Sequence, residues 1–238
     1  MKKYLDLKLM TSMALLMPNL IFAGGVEVVT PVYPHSFYIA GNGGVFQGIF
    51  NTLYADQTDV ITQDIALTLQ QRGYTGGGAI GYSYLFHQQY FVGLEFDFNA
   101  NSNTAYFASG ASTAAFTDAT KINYHADLTF IPGVMLTDTL AGYFKIGGSV
   151  AWICDQLISP VGYNPFYAYY FTNTRLGGVA AGLGLKKFLN PHLAIFSEYV
   201  YHDYNNAHFS NFLNFTAEYT HSAHIYSHMV TIGVAAYL

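Results

Sequence analysis

Residues 229–238 read Met229-Val230-Thr231-Ile232-Gly233-Val234-Ala235-Ala236-Tyr237-Leu238, a strict alternation of Val230, Ile232, Val234, Ala236 and Leu238 with Met229, Thr231, Gly233, Ala235 and Tyr237. Successive side chains of a β-strand point to opposite faces. This run therefore carries one wholly aliphatic face and one mixed face. The same two-residue period recurs upstream. Val92, Leu94, Phe96 and Phe98 alternate with Gly93, Glu95 and Asp97, and Phe144, Ile146, Val150 and Trp152 alternate with Lys145, Gly147 and Ser149. Charges fall on the mixed face each time, which also takes His125, Asp127, Lys186, Glu198 and His202. The first strand is too glycine-rich for its faces to be assigned by this rule.

Eight such segments are expected, at 36–50, 75–86, 90–102, 120–136, 140–153, 174–189, 192–204 and 224–238. Between them the connections alternate in length: long at 52–74, short at 87–89, long at 103–119, short at 137–139, long at 154–173, short at 190–191 and long at 205–223. Most of the strands exceed the roughly nine to eleven residues that a tilted transmembrane strand needs.

Composition points the same way. Charged residues make up 10% of the chain, against about 25% in an ordinary soluble domain, so much of the surface faces something other than water. The 21 Tyr and 19 Phe include a set near strand ends (Phe37, Tyr38, Tyr82, Tyr84, Phe86, Tyr90, Phe91, Tyr124, Tyr143, Tyr199, Tyr201, Tyr226 and Tyr237) that suits the two aromatic girdles of a membrane barrel. Past the N-terminal region no apolar run approaches the ~18 residues of a membrane helix. A closed barrel is the remaining way to satisfy every backbone group in lipid. A soluble lipocalin-like barrel would reverse the observed parity, with apolar residues inside and charges outside.

At the N-terminus Lys2 and Lys3 precede the apolar stretch 9–17, followed by Pro18, Asn19 and the small residue Ala23. This is the layout of a secretory signal peptide, expected to be cut near Ala23-Gly24; as a membrane anchor the stretch is short of ~20 residues. The expected organisation is a signal peptide over 1–23 and one barrel domain over 24–238. A lone Cys154 cannot form an internal disulfide. The net charge of -5 argues against a nucleic-acid partner.

Several segments carry a family resemblance: 37–44, 78–82, 91–98, 198–204 and the ending 229–238. In order and spacing, the chain resembles the outer-membrane β-barrels that include the opacity-type surface antigens and the transmembrane domain of OmpA-like proteins. It departs in closing on Leu238, where that family usually has a terminal aromatic residue. The resemblance implies an all-β, eight-stranded antiparallel transmembrane barrel with four long extracellular loops and short periplasmic turns. It also implies a Gram-negative-type outer-membrane location with both termini periplasmic.

An eight-stranded barrel is just wide enough inside for side chains to fill. Glu95, Asp97, Asp127 and Glu198 are expected to pair there with Lys145 and Lys186 as internal struts, with water or His125 and His202 making up the balance. The functional alternative is a small-solute, porin-like channel. A second alternative comes from His208-Phe209-Ser210-Asn211 with Glu218, which resembles the motif of outer-membrane lipid A deacylases, with His208 as base and Ser210 as nucleophile. Its expected position in the last outer loop does not suit a lipid-facing site.

Five of the nine histidines (His202, His208, His221, His224 and His228) lie in or beside that loop, without a carboxylate or Cys to complete a recognisable ligand set. No catalytic residue, cofactor or metal is therefore expected, and the chain reads as a non-enzymatic surface protein with a structural or adhesive role. The aromatic, sparsely charged outer loops suit contact with other surfaces. Expected partners are outer-membrane lipid, lipopolysaccharide, the barrel-assembly machinery and host or neighbouring cell-surface ligands.

Overall fold

The alternating segments form nine β-strands in a computed structural model that describes residues 35–56, 64–87, 89–102, 104–108, 117–158, 170–214 and 217–238. The expected signal peptide lies outside the described residues. The strands are β1 (His35–Asp56), β2 (Asp64–Phe86), β3 (Tyr90–Asn101), β4 (Ala105–Ala108), β5 (Thr117–Met135), β6 (Leu140–Ile158), β7 (Tyr170–Asn190), β8 (Leu193–Asn214) and β9 (Ala217–Tyr237). β3 and β4 both pair with β5, through Ala100↔Tyr124 and Ala105↔Thr120, and so form one interrupted stave. All pairings are antiparallel, and β1 pairs with β9 from Tyr38↔Tyr237 to Asp56↔Tyr219. The result is a closed eight-stranded barrel, in which closure leaves no edge strand to aggregate.

Register fixes its shape. From Ile39 the hydrogen-bonded partners run through Ile80, Phe96, Leu128, Gly148, Val179, Asp203 and Tyr226 and return to β1 at Ile49. That stagger inclines every strand to the barrel axis. The parity reading holds on the strands for which it was made: Leu94, Phe96, Phe98, Phe144, Ile146, Ile232 and Val234 are exposed on the outside, while Glu95, Asp97, Lys145 and Thr231 are buried inside. On β1, where sequence assigned no faces, Phe37 and Ile39 point out and Tyr38, Phe46 and Phe50 point in.

Two expectations need correction. Two of the four long connections, 52–74 and 205–223, are largely strand: β1 runs to Asp56 and β2 starts at Asp64, and β8 runs to Asn214 and β9 starts at Ala217, so most of 205–223 is a hairpin ladder and not a loop. Aliphatic alternation stops near the end of the apolar band, but a ladder of Thr, Asn, Gln and Tyr continues in water on backbone hydrogen bonds alone. A 22-residue strand such as β1 climbs roughly 55 Å at ~3.3 Å per residue and a ~40° tilt, about twice the ~25 Å apolar band of such barrels.

The girdle assignment also changes. Tyr82, Tyr84, Tyr90 and Tyr124 are exposed, but Tyr38, Tyr143 and Tyr237 are buried in the lumen and Phe91 packs against the lumenal core with them. Proximity to a strand end was the wrong criterion for these four; parity decides.

The projecting part differs in topology from the part below. Among the described residues, β7–β8 pairing ends at Gly178↔Tyr204 and β2–β3 pairing at Thr75↔Asn101. Beyond those pairs the wall continues as two four-stranded lobes, β8-β9-β1-β2 and β4-β5-β6-β7. Gln71 bridges their base: its Oε1 accepts from the Ile122 N–H at 3.0 Å and its Nε2 donates to the Ile122 carbonyl at 3.4 Å.

Candidate functional site in the barrel lumen

Four glycines prepare the end of the lumen nearest the short turns. Gly81, Gly133, Gly184 and Gly233 sit directly across from Tyr38, Phe91, Tyr143 and Phe196. A Cβ at any of them would come within 2.4 Å of the facing ring. Each ring therefore lies flat over the neighbouring strand. Thus laid down, Tyr38 donates from its hydroxyl to Glu95 Oε2 at 2.6 Å and Tyr143 to Glu198 Oε1 at 2.6 Å.

Between these carboxylates stands Lys145. Its Nζ donates to Glu95 Oε1 at 2.5 Å, Glu198 Oε2 at 3.2 Å and Asp97 Oδ2 at 3.4 Å, all buried. Asn99 Nδ2 donates to the remaining Asp97 oxygen at 2.9 Å. Every carboxylate oxygen of the three acids thus has a partner, the condition under which buried charge is tolerated.

Lys186 departs from the expected pairing with acids. Among the described residues it makes no ion pair. Its Nζ donates to the Tyr237 hydroxyl at 3.0 Å and lies 4.7, 5.3 and 5.6 Å from the ring centres of Tyr38, Tyr143 and Tyr237. The lysine sits nearer the short turns than the acids, where aromatic faces hold its charge.

Asp127 also leaves the lysines. Ser149 Oγ donates to its Oδ1, and its Oδ2 is 2.8 Å from His202 Nε2, in a second polar group further toward the hairpins. His202 Nδ1 lies 3.1 Å from Ser227 Oγ. The His125 ring is 4.8 Å from that of His202, and its Nδ1 is 3.2 Å from Asn101 Nδ2. Ser227, His202 and Asp127 form a Ser-His-Asp chain, but all three are buried beneath an apolar tier that includes Phe46, Phe50, Ile122, Ile153 and Ile225.

Sequence reading named all six charged residues but missed Tyr38, Asn99, Tyr143, Ser149 and Tyr237 as their partners, and Tyr204 and Ser227 behind Ser149 and His202. Parity alone places Tyr143 and Ser149 beside Lys145 on one face; partners across the lumen require the register. The other candidate histidines spread out. His224 and His228 face outward, with His224 Nε2 2.9 Å from Asp203 Oδ1 and His228 Nδ1 2.7 Å from the Tyr199 hydroxyl. His208 is exposed on the projecting part of β8, and the side chains of Ser210, Glu218 and His221 lie outside the described residues.

A cavity of about 30 Å³ lined by Tyr38, Phe91, Lys186, Phe188 and Tyr237 opens near the short turns, which is room for a water molecule and little more.

A closed antiparallel barrel with an apolar outer band and a polar, filled lumen is the fold of outer-membrane β-barrel proteins. Among solved structures, OprG from Pseudomonas aeruginosa superposes with a TM-score of 0.56 at 15% identity, over 88% of this chain and 99% of that one. The outer membrane protease OmpT from Escherichia coli gives 0.49 at 11% identity, over 86% and 97%. In sequence, an uncharacterized protein of Coxiella burnetii (strain RSA 493 / Nine Mile phase I) is 29% identical over 247 residues, spanning 98% of this chain and 95% of that protein. No family model matches the sequence.

Proposed function

We propose that this chain is a non-enzymatic outer-membrane surface protein: a plugged barrel whose body anchors two projecting β-lobes that make contacts outside the cell. The long hairpins then lie outside and both termini lie in the periplasm. The observation that carries this reading is the mismatch between the two halves. Strands of 21 to 23 residues extend far beyond the bilayer, while the lumen beneath them is filled by Lys145, its three acids and the apolar tier. A diffusion channel needs an open bore.

The lobes carry amide, hydroxyl and imidazole groups with few charges. Thr68 Oγ1 donates to Asn51 Oδ1 at 3.0 Å across β1 and β2, and Asn205, Asn206, His208 and His224 are exposed on β8 and β9. Such groups offer adaptable hydrogen bonds to glycans or protein surfaces. The test has two arms. Intact cells displaying a tag at the β8–β9 tip are expected to bind antibody, and excising 209–222 is expected to lower adherence of those cells to epithelial monolayers. A tag reachable only after the outer membrane is opened, or unchanged adherence, rejects the proposal.

A further inference from the structure

Among the eight buried side-chain atoms of the described residues that lack a hydrogen-bond partner, one is an imidazole nitrogen with two further metal-ligating side chains beside it. His125 is completely buried, its Nδ1 faces Asn101 at 3.2 Å, and its Nε2 has no hydrogen-bond partner. Bare imidazole nitrogens are costly in such an interior. One donor atom each from His125, Asp127 and His202 falls within 4.8 Å of the other two. We infer that these three side chains bind one first-row divalent cation of the zinc type across the barrel lumen.

The donor set is two imidazoles and one carboxylate, nitrogen and oxygen ligands that suit such ions and that leave a position for water or a hydroxyl. Each ligand is also steadied from behind, as metal ligands are. Ser227 Oγ sits at His202 Nδ1, Ser149 Oγ holds the other oxygen of Asp127, and the Asn101 amide sits at His125 Nδ1. An amide can present either its oxygen or its nitrogen to that ring. With the oxygen turned inward, Nδ1 carries the proton and the Nε2 lone pair is free for the ion. Coordination requires His202 and Asp127 to part from their 2.8 Å hydrogen bond and His125 to close in. Donors on a tetrahedral ion lie roughly 3.3 Å apart, given metal–ligand distances of ~2.0–2.1 Å.

There is also a way in. Where β7 and β8 separate, a groove is lined by Gly177, Gly178, Val179, Asp203, Tyr204 and His224. Tyr204 stacks on His202 with ring centres 5.8 Å apart, so one aromatic ring stands between the groove and a ligand. The position explains a use for the ion. His125 and Asp127 belong to β5 and His202 to β8, strands of opposite lobes. The ion joins the lobes at the level where their direct pairing ends.

The full barrel, refolded in detergent with cobalt chloride and passed over a desalting column, is expected to retain one Co²⁺ per folded chain and to show the visible absorption of a low-coordinate nitrogen–oxygen site. The heat-modifiable gel shift confirms that the barrel has folded. Ser227→Ala, which removes only the group behind His202, is expected to weaken Co²⁺ binding about 10–100-fold in a barrel that still folds, and His125→Gln is expected to abolish the absorption. His208→Ala, on the exposed projecting part of β8 and away from the groove, is expected to change nothing. Folded wild-type barrel without stoichiometric cobalt overturns the inference, whatever the variants do. So does cobalt that survives in His125→Gln or is lost in His208→Ala.

Discussion

Two polar groups share the lumen, and they are built differently. Around Lys145 all six carboxylate oxygens of Glu95, Asp97 and Glu198 are partnered within the protein. Around His202, Asp127 is fully bonded but His125 keeps a bare nitrogen. In the first group every charged atom is matched as folded, although Asn99 keeps a bare carbonyl oxygen, and the group serves as a plug. The second is a set of donors converging from both lobes, one of them unmatched, the arrangement of a site that takes a ligand. Charge count alone does not separate a strut from a site; whether the potential ligand atoms are themselves matched does.

The contrast breaks first at Lys145. Lys145→Met leaves three buried carboxylates without their shared cation and is expected to cost about 3–5 kcal/mol, read as a lower urea midpoint for the folded, heat-modifiable band. A loss under 1 kcal/mol means that the acids do not depend on the lysine.

Gly184→Ala drives a methyl group into the Tyr143 ring. It is expected to destabilise the barrel by about 1–3 kcal/mol in the same titration. The milder effect follows because the ring can tilt, at some expense to its bond with Glu198.

His125→Phe sharpens the contrast from the other side. Without metal it removes the unpartnered Nε2 together with the contact of Nδ1 with Asn101 and fills similar volume, so stability is expected to fall by about 1–3 kcal/mol. A loss as large as that of Lys145→Met makes the two groups alike. Smallest of all, His224→Ala breaks a hydrogen bond to Asp203 that is close to half exposed on both sides and is expected to cost about 0.5 kcal/mol.

How far the sequence carries can be traced through particular residues. Ile232 and Val234 against Thr231 and Gly233 were enough to assign both faces of β9, and the same alternation put Glu95, Asp97, Asp127, Lys145, Lys186 and Glu198 on lumenal parity. Parity is local, whereas pairing across a lumen depends on stagger, which no single strand contains. Lys186 was therefore matched with acids although three tyrosine rings surround it. Tyr38 was hidden by the glycines of β1, and its contact with Glu95 depends on Gly81 of another strand. The hairpin extensions were missed because Asn205, Asn206 and His208 lack the aliphatic face by which a lipid-facing strand is recognised. Beyond the bilayer, backbone pairing persists after that signal has ended.

The plugged lumen is the central claim, and planar-bilayer conductance of the refolded barrel tests it most directly. A barrel confirmed as folded by its gel shift is expected to give no discrete channel steps. Reproducible steps whose size changes in Glu95→Gln, which removes charge from the Lys145 cluster, would contradict the account and make the lumen a pathway.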